Sequence, residues 1–178
     1  MKIGLISDTH GDYMRYSLAM DILKDCDFFL HAGDVLSYNI KLSQDMINDL
    51  QKRHNMYIAR GNGDNFNPLL IGKESLPYDM LLNFKTNSGN IIIYLTHSHK
   101  FYFEDIIEKA KDAGAGFIVY GHTHIKKLEK YKDLIIINPG SVSRPRDGVR
   151  SCGKIDTALN TAYLIDIDKN EIISELKY

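Results

Sequence analysis

The sequence predicts an α/β fold in which two mixed β-sheets form a sandwich flanked by helices, and two patterns carry that reading. From Met1 to Ala59, short apolar runs alternate with amphipathic stretches, the order of strand–helix units. From Tyr78 onward, apolar runs are joined by turn-forming stretches, the order of hairpins. A third observation concerns function: side chains able to hold a metal follow the apolar runs, at the strand ends where α/β sheets gather ligands.

Ile3 to Ile6 is too short for a helix and reads as a strand buried on both faces. Gly11 permits a tight turn after it, and Asp12 suits the N-cap of a helix whose inner face is Met14, Leu18, Ala19, Ile22 and Leu23. Phe28 to Leu30 opens a second strand that leads through His31 to Gly33-Asp34. The next helix turns Leu42, Met46, Ile47 and Leu50 inward, and Met56 to Ala59 is a third strand. Asp79 to Lys85 and Ile91 to Thr96 pair across Asn87-Ser88-Gly89-Asn90, a hairpin turn by composition. A helix from Tyr102 to Ala113, with Ile106, Ile107 and Ala110 inward, stops at Gly114. Phe117 to Tyr120 is a strand, and Lys126 to Tyr131 pairs with Leu134 to Asn138 around Lys132-Asp133. Asn138-Pro139-Gly140-Ser141 has turn chemistry. Ser143 to Leu159 lacks periodicity and is expected to be a long loop near the site. Thr161 to Ile167 and Glu171 to Leu176 form the last hairpin.

At 178 residues the chain suits a single domain spanning residues 1–178. Its 22 Lys and Arg against 23 Asp and Glu provide no global field for wrapping a long nucleic acid. Charge is uneven: between Lys126 and Lys154, Arg144, Arg146, Arg150 and five lysines face only Glu129, Asp133 and Asp147. That stretch reads either as a local anion site or as a solvated hairpin and loop. Cys26 and Cys152 have no C-x-x-C spacing, so neither a disulfide framework nor a zinc knuckle is expected. The N-terminal apolar run is cut off by Asp8, unlike a signal peptide, and no long apolar stretch suggests membrane insertion. The expectation is a cytoplasmic protein with no membrane partner, and a homo-oligomer is compatible with the sequence.

The metal-ligating residues fall in five stretches: Asp8-Thr9-His10, Gly33-Asp34, Gly61-Asn62-Gly63-Asp64, Thr96-His97 and Gly121-His122-Thr123-His124. A carboxylate can bridge two divalent ions because its charge offsets their repulsion, and Asp34 is the candidate. One ion would take Asp8, His10 and His124 as well, and the other Asn62, His97 and His122. Mixed nitrogen and oxygen ligands without thiolate suit Mn²⁺, Ni²⁺, Zn²⁺ or Fe²⁺ better than Mg²⁺ or Ca²⁺. Ions roughly 3.5–4 Å apart would activate a bridging water for in-line attack on phosphorus. His54 reads as a surface histidine. His31 precedes Asp34 within a strand and reads as a hydrogen-bond donor behind the ligands. His99 is open between substrate contact and loop packing.

These five ordered motifs resemble those of calcineurin-like metallophosphoesterases, over residues 1 to about 142. Asn138-Pro139-Gly140-Ser141 and Asp64 resemble the small bacterial and archaeal phosphodiesterase subfamily. The resemblance implies a four-layer α/β/β/α sandwich, two divalent ions with Mn²⁺ foremost, and cleavage of phosphodiesters. Two positions depart from the pattern: Gly63 stands where many members have a histidine, and Ser98 where a glycine is usual. His99 is the spare imidazole that could replace part of the missing function. Arg144 and Arg146 are the candidates for binding the substrate's anionic part, since Arg makes two-pronged phosphate contacts.

The leading expectation is a metal-dependent phosphodiesterase acting on a small or nucleotide-like diester. A phosphomonoesterase on the same ions is the alternative within enzymes. A metal-binding scaffold is the alternative from another class, because the fold also resembles a retromer scaffold subunit.

Overall fold

The computed structural model describes residues 1–86 and 89–178. Among them, one sheet has the strand order β11-β10-β9-β1-β2-β3, and the other β4-β5-β6-β8-β7. The first is built from β1 (Lys2–Ile6), β2 (Phe28–His31), β3 (Met56–Ile58), β9 (Ser151–Asp156), β10 (Thr161–Asp166) and β11 (Glu171–Lys177). The second contains β4 (Asp79–Thr86), β5 (Gly89–Thr96), β6 (Phe117–Tyr120), β7 (Lys127–Tyr131) and β8 (Leu134–Asn138). Both are mixed: β1 runs parallel to β2 and antiparallel to β9, while β6 runs parallel to β5 and β8.

The period of two along a strand explains the layers. In β8, Ile135 and Ile137 join Ile3, Leu5, Leu30, Ile93 and Val119 between the sheets. Leu134 and Ile136 point the other way, onto Ile106 and Ala110 of α3 (Phe103–Asp112). Helices α1 (Tyr13–Ile22) and α2 (Gln44–Lys52) cover the outer face of the first sheet through Tyr16, Ala19, Met20, Met46, Ile47 and Leu50. The result is the α/β/β/α sandwich the motifs implied. No helix is long and apolar enough to cross a membrane among the described residues.

Three expectations are corrected. Met14 and Leu18 are exposed, at 70% and 39%, because α1 packs through Tyr16, Ala19, Met20 and Leu23, a face rotated from the expected one. Leu42 lies in a 3-10 turn before α2 and is 71% exposed. The expected loop Ser143 to Leu159 contains β9, which lies between β1 and β10 and is almost wholly buried. Gly153 in it faces the Leu5 side chain, so the strand shows no alternating apolar pattern even though it is paired on both sides. Asp12 caps α1 as expected, accepting from Arg15 N–H at 3.1 Å, and Gly114 ends α3 with φ +69°. Of the hairpin turn assigned to Asn87-Ser88-Gly89-Asn90, residues 87 and 88 lie outside the described residues.

Candidate metal centre

The five motifs converge on one edge of the sandwich, because β1, β2 and β3 run parallel in one sheet and β5 and β6 run parallel in the other. Each motif lies just past the end of its strand. The backbone there is unusual: Asp8, His10, Asp34, His122 and His124 all have positive φ, between 46° and 71°. Non-glycine residues in that region carry about 1–3 kcal/mol of strain each, held by the surrounding fold and concentrated at functional sites.

Close backbone approach lets the loops meet. A Cβ on Gly121 would lie 2.6 Å from the Ala32 carbonyl and collide with Ser7 Oγ, while one on Gly61 would collide with Asp34. Gly63 N–H donates to Asp34 Oδ1 at 2.7 Å.

Asp8, His10, Asp34 and His124 each offer a ligand atom within 4.8 Å of the others. Asp34 faces two ways, with Oδ2 3.8 Å from His10 Nε2 and Oδ1 3.5 Å from His97 Nε2. His97 Nε2 is also 3.2 Å from Asn62 Oδ1. The His122 ring lies 5.1 Å from that of His97, and His122 N–H donates to Asp8 Oδ2 at 3.2 Å.

Hydrogen bonds behind the ligands set which nitrogens face the centre. His97 Nδ1 donates to the Ala32 carbonyl at 2.6 Å, and His124 Nδ1 to the Arg144 carbonyl at 2.7 Å. In both rings the acceptor Nε2 is thereby aimed inward. His124 Nε2 then stands 3.1 Å from Asp8 Oδ1, a buried carboxylate oxygen with no well-formed hydrogen bond among the described residues. Two acceptors that close repel unless a cation lies between them. This donor set fits a divalent ion, and in its absence a proton takes the place.

The electrostatics follow. Burial alone would raise the Asp8 pKa, but the His124 contact, the His97 charge and Ser7 hold it below the usual carboxylate range. His124 is raised, chiefly by the bond to Asp8. His10 and His122 are lowered, chiefly by burial. His99, whose ring lies 5.3 Å from that of His97 and 5.6 Å from that of Tyr78, is pushed down to about 4 by burial and then by the neighbouring His97 and His122. Among the described residues its Nδ1 is buried without a partner, and with its pKa lowered the ring is an uncharged imidazole at neutral pH, at the edge of the centre.

Of the basic residues, Arg144 and Arg146 reach the site. His124 bonds the Arg144 carbonyl, and Arg146 N–H donates to the His124 carbonyl at 2.9 Å. Arg150 does not: it pairs with Asp168 at 3.2 Å, which Arg15 also holds at 2.9 Å. Of the loop expected near the site, only the part before β9 lies there, since β9 carries the rest into the sheet. His54 is exposed, as expected.

Several residues brace the site through bonds that the sequence does not reveal. The Asp64 carboxylate accepts from the N–H groups of Gly61, Asp34 and Val35 at 2.8–2.9 Å, tying two ligand loops together. Burial pushes its pKa up against those three donors. Asn138 donates to the Gly121 carbonyl and to Thr123, and Ser141 and Ser143 both donate to the Asp8 carbonyl. His31 does not reach a ligand side chain. It holds Thr9, between Asp8 and His10, at 2.9 Å, and Thr9 passes the bond on to the Val35 carbonyl. No local pattern marks these residues, because each acts through a partner on a segment remote in the chain.

Known proteins agree with this architecture. The calcineurin-like phosphoesterase superfamily domain matches residues 1–159. The phosphodiesterase MJ0936 of Methanocaldococcus jannaschii is 27% identical, over 88% of this chain and 93% of its own length. The phosphodiesterase YfcE of Escherichia coli K12 is 25% identical over 99% and 97%. The solved structure of that E. coli phosphoesterase superposes with a TM-score of 0.80 at 22% identity, covering 99% of this chain and 98% of its own. Vacuolar protein sorting 29 from Cryptosporidium parvum does so at 0.71 and 21%, covering 99% and 98%, a likeness of fold. With its sandwich, its ligand loops and a family match over residues 1–159, this chain belongs to the calcineurin-like phosphoesterase superfamily and is a metal-dependent phosphoester hydrolase.

Proposed function

We propose that the protein is a phosphodiesterase with a two-ion centre. The observation that carries this reading is Asp34, whose two carboxylate oxygens face two different groups of donors. Asp8, His10, Asp34 and His124 would hold one ion, and Asp34, Asn62, His97 and His122 the other, with Mn²⁺ the first candidate on ligand chemistry. When bound, such ions supply Lewis acidity for activating water and neutralising phosphoryl charge.

The chain's own residues supply the rest. Asp64 and Gly63 fix the Asp34 loop, so the bridging carboxylate is held before substrate arrives. Arg144 and Arg146 stand at the rim, where their charges bear on His10 and His124 and can take the substrate's anionic oxygens. His99, uncharged, offers a hydrogen bond to the leaving oxygen in place of the absent histidine at Gly63. With Gly63 in place of a histidine, diesters with acidic leaving groups, such as aryl esters, are favoured over alkyl phosphomonoesters, whose departing alkoxide needs more assistance.

The test is hydrolysis of bis(p-nitrophenyl) phosphate and p-nitrophenyl phosphate with Mn²⁺, alongside metal analysis of the protein. Two bound ions and preference for the diester support the reading. Preference for the monoester would replace it with a phosphomonoesterase, and two ions without turnover with a scaffold.

A further inference from the structure

Beside the donors His97 and His122, the metal edge carries a second set of basic groups, separate from Arg144 and Arg146. Tyr78 is its platform. The Tyr78 carbonyl accepts from Thr96 Oγ1 at 3.1 Å, and the Pro77 carbonyl from Arg60 N–H at 2.7 Å, so this segment is tied to two ligand loops. The chain turns at Ser98, φ +72°, and His99 and Lys100 follow. Lys100 Nζ stands 5.0 Å from the centre of the Tyr78 ring, and the Arg60 guanidinium carbon 5.5 Å from it. The His99 ring lies 5.6 Å from that of Tyr78 and 5.3 Å from that of His97, so the platform begins one imidazole away from the centre.

Two cations gathered at one ring repel each other, and the ring's attraction for each is weak at an exposed site. Among the described residues neither Arg60 nor Lys100 is in an ion pair that would offset the repulsion. Asp79, next in sequence to Tyr78, is engaged elsewhere: it accepts from Tyr94 Oη at 2.5 Å and pairs with Lys109 at 3.7 Å. Tyr78 itself is 39% exposed although its segment is fixed by backbone bonds. A guanidinium and an ammonium with uncommitted donors, beside an accessible aromatic ring, suit an anionic group at the end of an apolar or aromatic stem.

We infer that this platform receives the leaving alcohol of the substrate, and that the alcohol carries an anionic group, a carboxylate or a phosphate, besides the phosphorus under attack. The inference rests on the diesterase reading, with His99 facing the leaving oxygen, and adds the charge of the departing group. Arg144 and Arg146 keep the phosphoryl oxygens, while Arg60 and Lys100 hold the far end of the leaving group. The alcohol released is a hydroxy acid or a phosphorylated alcohol.

Methyl 3-carboxy-4-nitrophenyl phosphate is compared with its uncharged carboxamide counterpart in the presence of Mn²⁺, and a third ester carries a phosphonate at the same position. The acid-to-amide ratio of kcat/KM should be roughly tenfold higher in the wild type than in the double variant Arg60→Gln/Lys100→Met, mainly through KM. Comparing the two proteins cancels the intrinsic difference between the leaving groups. Lys100→Glu, at an exposed position, should lower the ratio as well, and Arg150→Ala, which removes a positive charge elsewhere, should keep it. A larger gain for the phosphonate marks a phosphorylated alcohol, and a larger gain for the carboxylate a hydroxy acid. A ratio equal in wild type and variants overturns the platform while leaving the diesterase reading intact. If no diester is hydrolysed, binding decides: 5-hydroxy-2-nitrobenzoate and 5-hydroxy-2-nitrobenzamide are titrated into metal-free protein with ¹³C-labelled tyrosine rings. Tyr78 shifts that saturate at lower concentration with the acid uphold the platform and overturn the diesterase, and shifts that are equal or absent overturn both.

Discussion

Acidification is expected to cost the metal-free protein stability, and the share due to His31 can be isolated. His31 is fully buried, and its Nδ1 accepts from Gly33 N–H at 3.1 Å, so a second ring proton would point at a donor. Burial depresses its pKa from 6.5 to about 3. Below pH 6.5 the unfolded chain takes up a proton that the folded chain refuses. The stability is therefore fully present above that pH and is lost as pH falls towards the folded value. Near pH 4.5, ~2 units below the unfolded value at ~1.4 kcal/mol per unit, the loss is about 3 kcal/mol. The control is His31→Asn, whose amide oxygen can accept from Gly33 N–H but does not titrate. At neutral pH the variant should be weaker by about 1–3 kcal/mol, for the lost Thr9 bond and ring volume. Urea unfolding with a chelator, at several pH values, gives both curves. Contributions from Asp8 and His124 occur in both proteins and cancel to first order in the difference. Wild type should lose about 3 kcal/mol more than His31→Asn between neutral pH and about 4.5. Parallel pH profiles would show that His31 titrates normally and that the reasoning is wrong.

Asp34→Asn should leave the fold intact but lower kcat by about 10³-fold or more, since an amide lacks the charge that makes two nearby cations tolerable; wild-type turnover with both ions bound would refute the bridging role. Replacing Arg144 and Arg146 together by Ala should raise KM roughly tenfold with less effect on kcat, whereas Arg150→Ala should change neither, because that side chain is committed to Asp168. For leaving-group assistance, the rate should depend steeply on leaving-group pKa, more steeply in His99→Ala and less in Gly63→His. A Cβ at Gly63 would stand 3.1 Å from Asp34 Oδ1, so Gly63→Ala is the control for displacement of the carboxylate. A shallow wild-type slope, measured with chemistry rate-limiting and unmoved by any of these changes, would remove the assistance from the account.

What was legible in the sequence is what local patterns encode. The strand ends at Ile6, Thr96 and Tyr120, the inward Met46, Ile47 and Leu50 of α2, the inner face of α3, and the ligand types following the strands all arise from short-range periodicity and turn chemistry. Tertiary structure decided whatever depends on partners distant in sequence. Ser151–Asp156 is a strand only because β1 and β10 pair with it on both sides, and Arg150 leaves the site because Asp168 and β9 draw it away. Asp64 reads only as the last residue of the third motif, and Asn138 only as a turn residue, until the loops they clamp are brought within hydrogen-bond reach. The inward aim of His97 and His124 likewise depends on carbonyls of Ala32 and Arg144, 65 and 20 residues away in the chain. A directional bond between remote segments leaves no periodic trace in either one, so only the folded chain shows which of its many polar residues form the centre and which hold it in place.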